Sequence, residues 1–337
     1  MLRSLRLHHY GPLAKIDWRP LGSINLVIGG NGSGKTFLLK AIYSAMRTIE
    51  EHRRGDDQRS AAEILADKLY WTFQAEKIGD LVTKGAASPL KLELDLDGHR
   101  FGYSFGKDTS KAISAIENDV PPRKSNSIFL PAKEVLSLHH IILKSREEDK
   151  VFGFDDTYLD LARALRPSPK AGKNYLEFAA SRRSLEDIVG GRVEYEDASG
   201  RWSFKKGNQK FPIGVTAEGV KKIGILDTLL GNRFLDPHSI VIIDEPESAL
   251  HPSAIVKLLE IVAVLASRGM QFFLASHSYF VVKKLCLIAK EQGISIPVCS
   301  FVDGRWRTDD LRAGMPDNPI VDESIRLYEQ EVDMALK

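Results

Sequence analysis

Hydrophobic residues recur along the chain with two periods, and the switches between them mark out the elements. Leu90-Lys91-Leu92-Glu93-Leu94-Asp95-Leu96 alternates with period two, and Asp97-Gly98 turns it into a partner strand from Arg100 to Phe105. Met1 to Leu7 sets Leu2, Leu5 and Leu7 against Arg3 and Arg6 and predicts an edge strand. A Gly11-Pro12 turn then leads to a strand around Ala14 to Trp18, and these form a small antiparallel sheet. Three apolar runs, Ser23 to Ile28, Ser239 to Ile243 and Gln271 to Ala275, lack alternation and read as strands buried on both faces. Ser127 to Leu130 is a shorter run of the same kind, stopped by Pro131.

Helical spacing appears in Phe37 to Thr48, in Ser60 to about Ala75 and in Thr216 to Leu230. It returns in Pro252 to Arg268, which has Pro at its start and Gly269 just past its end, and in Tyr279 to Lys290. Ala132 to Val189 is mostly helical and broken at Pro167-Ser168-Pro169. A second hairpin, Arg192 to Glu196 with Arg201 to Lys205, turns through Asp197-Ala198-Ser199-Gly200, and a short strand follows at Phe211 to Ile213. Ile296 to Val302 closes the run of strand-helix units, and Arg305 to Lys337 reads as an appended turn and a final helix. The pattern predicts an α/β fold with a mostly parallel core sheet, an antiparallel β subdomain and an α-helical insert. One domain covers 1–337: P-loop and β subdomain at 1–131, helical insert at 132–190, a second lobe at 191–304 and an appendage at 305–337.

Composition narrows the setting. The 337 residues carry 47 basic and 45 acidic side chains, so the +2 balance gives no bulk case for nucleic-acid or membrane binding. Two cysteines, Cys286 and Cys299, are too few for a disulfide framework and read as buried thiols. No run of 18 apolar residues and no signal-peptide core is visible, so a soluble cytoplasmic protein with no membrane partner is expected. His8-His9 and His139-His140 lack metal-ligand spacing.

The chemistry begins at Gly29-Gly30-Asn31-Gly32-Ser33-Gly34-Lys35-Thr36, which fits G-x-x-x-x-G-K-[ST] between a strand and a helix. Backbone N–H groups of a glycine loop and a helix start surround an anion. Gly29, Asn31, Gly32, Ser33 and Gly34 make the cradle, Phe37 continues it into the helix, Lys35 reaches the β- and γ-phosphates, and Thr36 offers its hydroxyl to Mg²⁺. Ile240 to Ile243 delivers Asp244-Glu245 to the carboxyl end of a buried strand, the ligand side of an open parallel sheet. Asp244 is placed to hold Mg²⁺, and Glu245 to take a proton from an attacking water. His277, after the next buried strand, is placed to reach a γ-phosphate. No Asn-Lys-x-Asp guanine-reading motif occurs, which favours ATP.

On the P-loop, on Ile240 to Glu245 with Pro246-Glu247-Ser248-Ala249-Leu250-His251-Pro252, and on Ser276-His277, the chain resembles ABC-type ATPases of the SMC and RecF kind. It is similar to the compact branch that includes the ATPase part of the overcoming-lysogenization-defect nucleases. The resemblance implies a head-to-head homodimer with two ATP molecules sandwiched between subunits. It places the signature loop, which serves the opposite subunit, at Thr216-Ala217-Glu218-Gly219, with Thr216 supplying the hydroxyl and Gly219 the close backbone approach. A local capping box at Thr216 is the plainer reading of the same residues. Ser248 to His251 would cross the interface. The glutamine loop of the family has no match at Pro131-Ala132-Lys133-Glu134; Lys133, Glu134 or another segment stands in.

The function implied is an ATP-hydrolysing switch that controls a separate effector chain, a nuclease or toxin, in DNA maintenance or antiviral defence, with DNA left open as a ligand. Only 35 residues follow Val302 (337 − 302), too few for a fused Toprim nuclease. The alternative is an ATP-binding scaffold or DNA-associated adaptor with little turnover.

Overall fold

The computed structural model describes residues 1–167, 176–196 and 199–336. In chain order the elements begin with β1 (Leu2–Tyr10), β2 (Leu13–Trp18), β3 (Ile24–Ile28), α1 (Lys35–Glu51), α2 (Ala61–Phe73), β4 (Leu90–Leu96) and β5 (His99–Phe105). Next come β6 (Ala115–Asn118), β7 (Ser127–Leu130), α3 (His139–Leu143), α4 (Asp156–Leu165) and α5 (Leu176–Val189). The middle strands are β8 (Arg192–Glu196), β9 (Arg201–Lys206) and β10 (Gln209–Pro212), followed by α6 (Glu218–Gly231), β11 (Ile240–Asp244) and α7 (Pro252–Ser267). The last elements are β12 (Gln271–Ser276), α8 (Tyr279–Gln292), β13 (Pro297–Val302), β14 (Arg305–Asp310) and α9 (Pro319–Ala335).

The core sheet has the order β14-β13-β3-β12-β11-β7, parallel except for β14 at one edge. Its central strands are apolar on both sides because both sides are covered. Ile24, Leu26, Val241, Ile243, Phe272 and Leu274 face the cluster built with α6, α7 and α8. Val27, Ile240, Ile242, Phe273 and Ala275 face α1 and the antiparallel sheet. That second sheet has the order β2-β1-β4-β5-β6, and a three-stranded sheet β10-β9-β8 stands apart.

Three expectations are corrected. β1 is an interior strand paired to both β2 and β4, not an edge. A bulge between Leu2 and Ser4 lets Leu2, Leu5 and Leu7, spaced unevenly in sequence, all bury on one face. Arg305 to Asp310, read as part of a turn, is the edge strand β14. Phe211 to Ile213 shifts back to β10, and Ile213–Val215 forms one 3₁₀ turn. Ser168, Pro169, Asp197 and Ala198, named in the sequence as breaks, lie outside the described residues.

Because β7, β11, β12 and β3 are parallel, their carboxyl ends meet at one edge of the sheet. That edge gathers the P-loop, Asp244-Glu245, His277 and Pro131–Glu134 from stretches far apart in the chain.

Candidate nucleotide-binding site

The loop after β3 is shaped by its glycines. Gly32 and Gly34 have φ of 75° and 98°, values that a side chain disfavours. Gly34 caps α1, and a Cβ there would stand 2.9 Å from Leu13. The N–H groups of Gly32, Gly34, Lys35 and Thr36 have no hydrogen-bond partner among the described residues. Such a cluster of free donors at a helix start suits an anion. Lys35 is folded back over the loop, donating to the carbonyls of Gly29 (2.7 Å) and Gly30 (3.0 Å). Burial lowers its pKa, against the pull of Asp244, Glu245 and Glu247. Ser33 Oγ is buried without a partner in the described residues. Asn31 is exposed at the loop tip. The Phe37 ring turns away from the loop and packs on Tyr10 and Phe73, with centroids 5.6 and 4.5 Å away.

Thr36 Oγ1 donates to Asp244 Oδ2 at 2.7 Å. Asp244 Oδ1 is buried and unpartnered among the described residues. Burial raises the pKa of this carboxyl, and neighbouring Glu245 adds to the rise. A cation beside it would reverse that direction. One hydroxyl and one carboxylate with a spare oxygen fit a hard divalent ion that takes its other ligands from phosphate and water, as Mg²⁺ does. No group of three or more His, Cys, Asp or Glu residues among those described forms a closed metal cage.

Glu245 adopts φ 48°, a left-handed conformation that costs a non-glycine residue of order 1 kcal/mol. Three hydrogen bonds hold it: its N–H donates to Ala275 O at 2.9 Å, and its carbonyl accepts from Ser248 N–H at 3.0 Å and from Lys222 Nζ. Lys222 also reaches Asp244 O at 3.4 Å. Burial of this ammonium pushes its pKa down to about 8, against the pull of Glu247, Asp244 and Glu245. His277 Nδ1 lies 3.5 Å from Glu245 Oε1. Glu247 Oε1 accepts from Ser276 Oγ (2.8 Å) and from His277 N–H (3.1 Å), so it fixes the start of the histidine loop.

A cavity of about 640 Å³ opens beside this cluster, lined by Thr36, Lys40, Lys133, Glu134, Asp244 and Glu245 among others. Lys133 is exposed at its rim, whereas Glu134 turns back to accept from Ser137 N–H at 2.7 Å. Lys40 pairs with Asp155 at 2.6 Å, and Asp155 caps α4 by accepting from Thr157 N–H. The P-loop helix is thereby tied to the helical segment after β7.

Thr216 and Gly219 lie at the start of α6. The cap of α6 is Ala217 with no side-chain hydrogen bond, so the capping box does not form. Thr216 Oγ1 donates instead to Pro212 O at 3.1 Å. The N–H groups of Ala217, Glu218 and Gly219 are unpartnered among the described residues. Gly219 is needed locally as well: a Cβ there would meet Ala249 O at 2.7 Å and Leu250 at 2.8 Å. Sequence reasoning missed Lys222 and Glu247 as site residues. Glu247 carried a signal, an acid two residues beyond Asp244-Glu245; Lys222 carried none outside the fold.

Sheet, P-loop and acidic strand end together define an ABC-type ATPase head of the SMC and RecF kind. The family model described as "AAA domain, putative AbiEii toxin, Type IV TA system" matches residues 24–283, and the chain belongs to that family. The DNA replication and repair protein RecF of Latilactobacillus sakei is 32% identical over 100 residues, covering 29% of this chain and 24% of the relative. RecF of Cellvibrio japonicus is 43% identical over 54 residues, 15% of each chain. The matched stretches thus span a quarter or less of these curated relatives. An Smc head bound to the C-winged helix domain of ScpA superposes with a TM-score of 0.55 at 14% identity, covering 92% of this chain and 97% of that one. An Smc head with an extended coiled coil, bound to the C-terminal domain of ScpA derived from Pyrococcus furiosus, gives 0.52 at 14% identity and 98% of both chains. At that identity the likeness shows the fold alone. No helix among the described residues is long and apolar enough to cross a membrane.

Proposed function

We propose that the chain binds Mg-ATP at the P-loop and hydrolyses it, using the energy as a switch. The carrying observation is the Thr36–Asp244 contact with a spare buried oxygen on Asp244, set beside Glu245 and His277. In this reading the free N–H groups of the loop and Lys35 bind the phosphates. Thr36 and Asp244 hold Mg²⁺, which supplies charge neutralisation to the phosphates when bound. Glu245 accepts the proton of the attacking water, and His277 orients water and γ-phosphate. Glu245 beside His277 favours turnover over a scaffold that binds ATP without hydrolysis.

The start of α6 serves a second subunit. Its N–H groups, unpartnered among the described residues, and the half-exposed Thr216 are suited to meet a phosphate brought by another chain, and support a nucleotide-sandwich homodimer. Only contacts made in the closed state can bias the equilibrium towards closure, and these are such contacts. The head would then control a separate effector chain, a nuclease or toxin; the family's toxin-antitoxin description supports a setting in defence, and the RecF relatives support one in DNA maintenance.

Light scattering of Glu245→Gln with ATP and Mg²⁺ tests the dimer. A doubled mass that Thr216→Ala or removal of ATP reverses is the expected result. A mass unchanged by ATP would rule out the sandwich.

A further inference from the structure

We propose that α9 is the docking element for another chain: it receives an amphipathic helix whose apolar stripe is flanked by Lys and Arg. The first turn of α9 is anchored. Asn318 is buried and caps the helix by accepting from Ile320 N–H, Ile320 packs on the core, and Val321 is buried. From Ile325 to Leu336 every residue is exposed, so about three turns project from the body.

The projecting turns are not polar. Val321, Ile325, Tyr328, Val332 and Ala335 follow one another at spacings of four, three, four and three, which places them on one face. Ile325 is 50% exposed and Tyr328 66%. A helical stretch this short is marginal in water on its own, and an uncovered stripe of this kind marks a binding face.

Charge selects the occupant. Within α9 the positions flanking the stripe are Asp322, Ser324, Glu329 and Glu331, and the apolar Leu336 follows on the Asp322–Glu329 side at the helix end. Flanking charges set partner choice between packed helices. A second copy of α9, parallel or antiparallel, would bring acid to acid or acid to a neutral residue. Anionic lipid is disfavoured for the same reason. A helix with Lys or Arg beside its apolar stripe is complementary on both counts. The surface lies outside the nucleotide site, so its existence does not depend on ATP hydrolysis. Only the role of the bound chain as the effector rests on the proposed switch.

The test uses the full chain and two synthetic helical peptides with one Leu/Ile stripe, flanked by Lys in one and by Glu in the other. Fluorescence anisotropy should show the Lys-flanked peptide binding at least about tenfold more tightly, with affinity falling as salt rises. Ile325→Glu/Val332→Glu should lose at least about tenfold in that affinity, while ATP hydrolysis, or ATP binding where there is no turnover, stays at the parent level. Equal binding of the two peptides, no binding of either, or binding unchanged in the double variant would overturn the proposal. So would a nucleotide-free dimer of the parent chain that the double variant abolishes, since α9 would then pair with its own copy.

Discussion

Thr36 Oγ1 and Asp244 Oδ2 lie 2.7 Å apart across 208 residues of sequence, and that contact joins the glycine loop to the acidic strand end. It is possible because β12 alone separates β3 from β11 in the core sheet, so their carboxyl ends are near neighbours. The second oxygen of Asp244 is left over, buried and unpartnered among the described residues. An orphaned carboxylate oxygen in that position costs stability until a ligand meets it.

Lys35→Ala should abolish nucleotide binding while leaving the fold intact, because among the described residues Lys35 donates only to carbonyls of its own loop. A ligand at a hundred times its Kd stabilises the folded state by about 2.7 kcal/mol. Thermal unfolding with and without Mg-ATP should therefore show an upward shift in the parent and none in Lys35→Ala. Equal shifts would remove the P-loop lysine from binding.

Lys222→Met should slow hydrolysis by about tenfold or more and spare ATP affinity. Its ammonium holds the carbonyl of Glu245, whose left-handed backbone is a strained conformation kept by its surroundings. The measurement is the split between kcat and nucleotide Kd. A variant that loses affinity but keeps kcat would contradict this positioning role.

Asp160→Asn should destabilise the chain by about 3–5 kcal/mol, the usual result of removing one partner from a buried ion pair. Asp160 accepts from Tyr43, from Arg47 at 3.0 Å and from Lys68 at 3.2 Å, between α1, α2 and α4. Burial opposes its ionisation, but Lys68 and Arg47 outweigh that and hold its pKa well below the usual carboxylate range. A depressed carboxylate stabilises the folded state above its unfolded pKa and loses that contribution as the pH falls below about 4. Denaturant unfolding should show the parent losing stability in that window and Asp160→Asn losing less. Parallel pH profiles would sink this account of the cluster.

Much of this architecture was legible because local chemistry and fold agree. The runs at Ser23 to Ile28, Ser239 to Ile243 and Gln271 to Ala275 are apolar but for Ser23, Asn25, Ser239 and Gln271, as suits strands covered on both faces. The Gly-Lys-Thr loop and Asp244-Glu245 announce themselves through residue types with few other uses at those spacings. What escaped depends on distant neighbours. The interior place of β1 is set by β4, some eighty residues on, and nothing within Leu2 to Tyr10 records it. The polar sequence of β14, Arg-Trp-Arg-Thr-Asp-Asp, shows no apolar alternation, because Trp306 alone of its side chains packs on the core and the strand lies at the sheet edge. Lys222 reads as one of a basic pair on a helix until the fold lays its ammonium against the Glu245 carbonyl.

Phosphate release from Mg-ATP by the purified chain, measured beside Glu245→Gln under the same conditions, probes the site most directly. Steady turnover by the parent is expected, with a loss of about 10²–10⁴-fold in the variant and unchanged ATP affinity. Hydrolysis by Glu245→Gln at the parent rate would contradict the assignment of the base, and no turnover by the parent would contradict the ATPase reading itself.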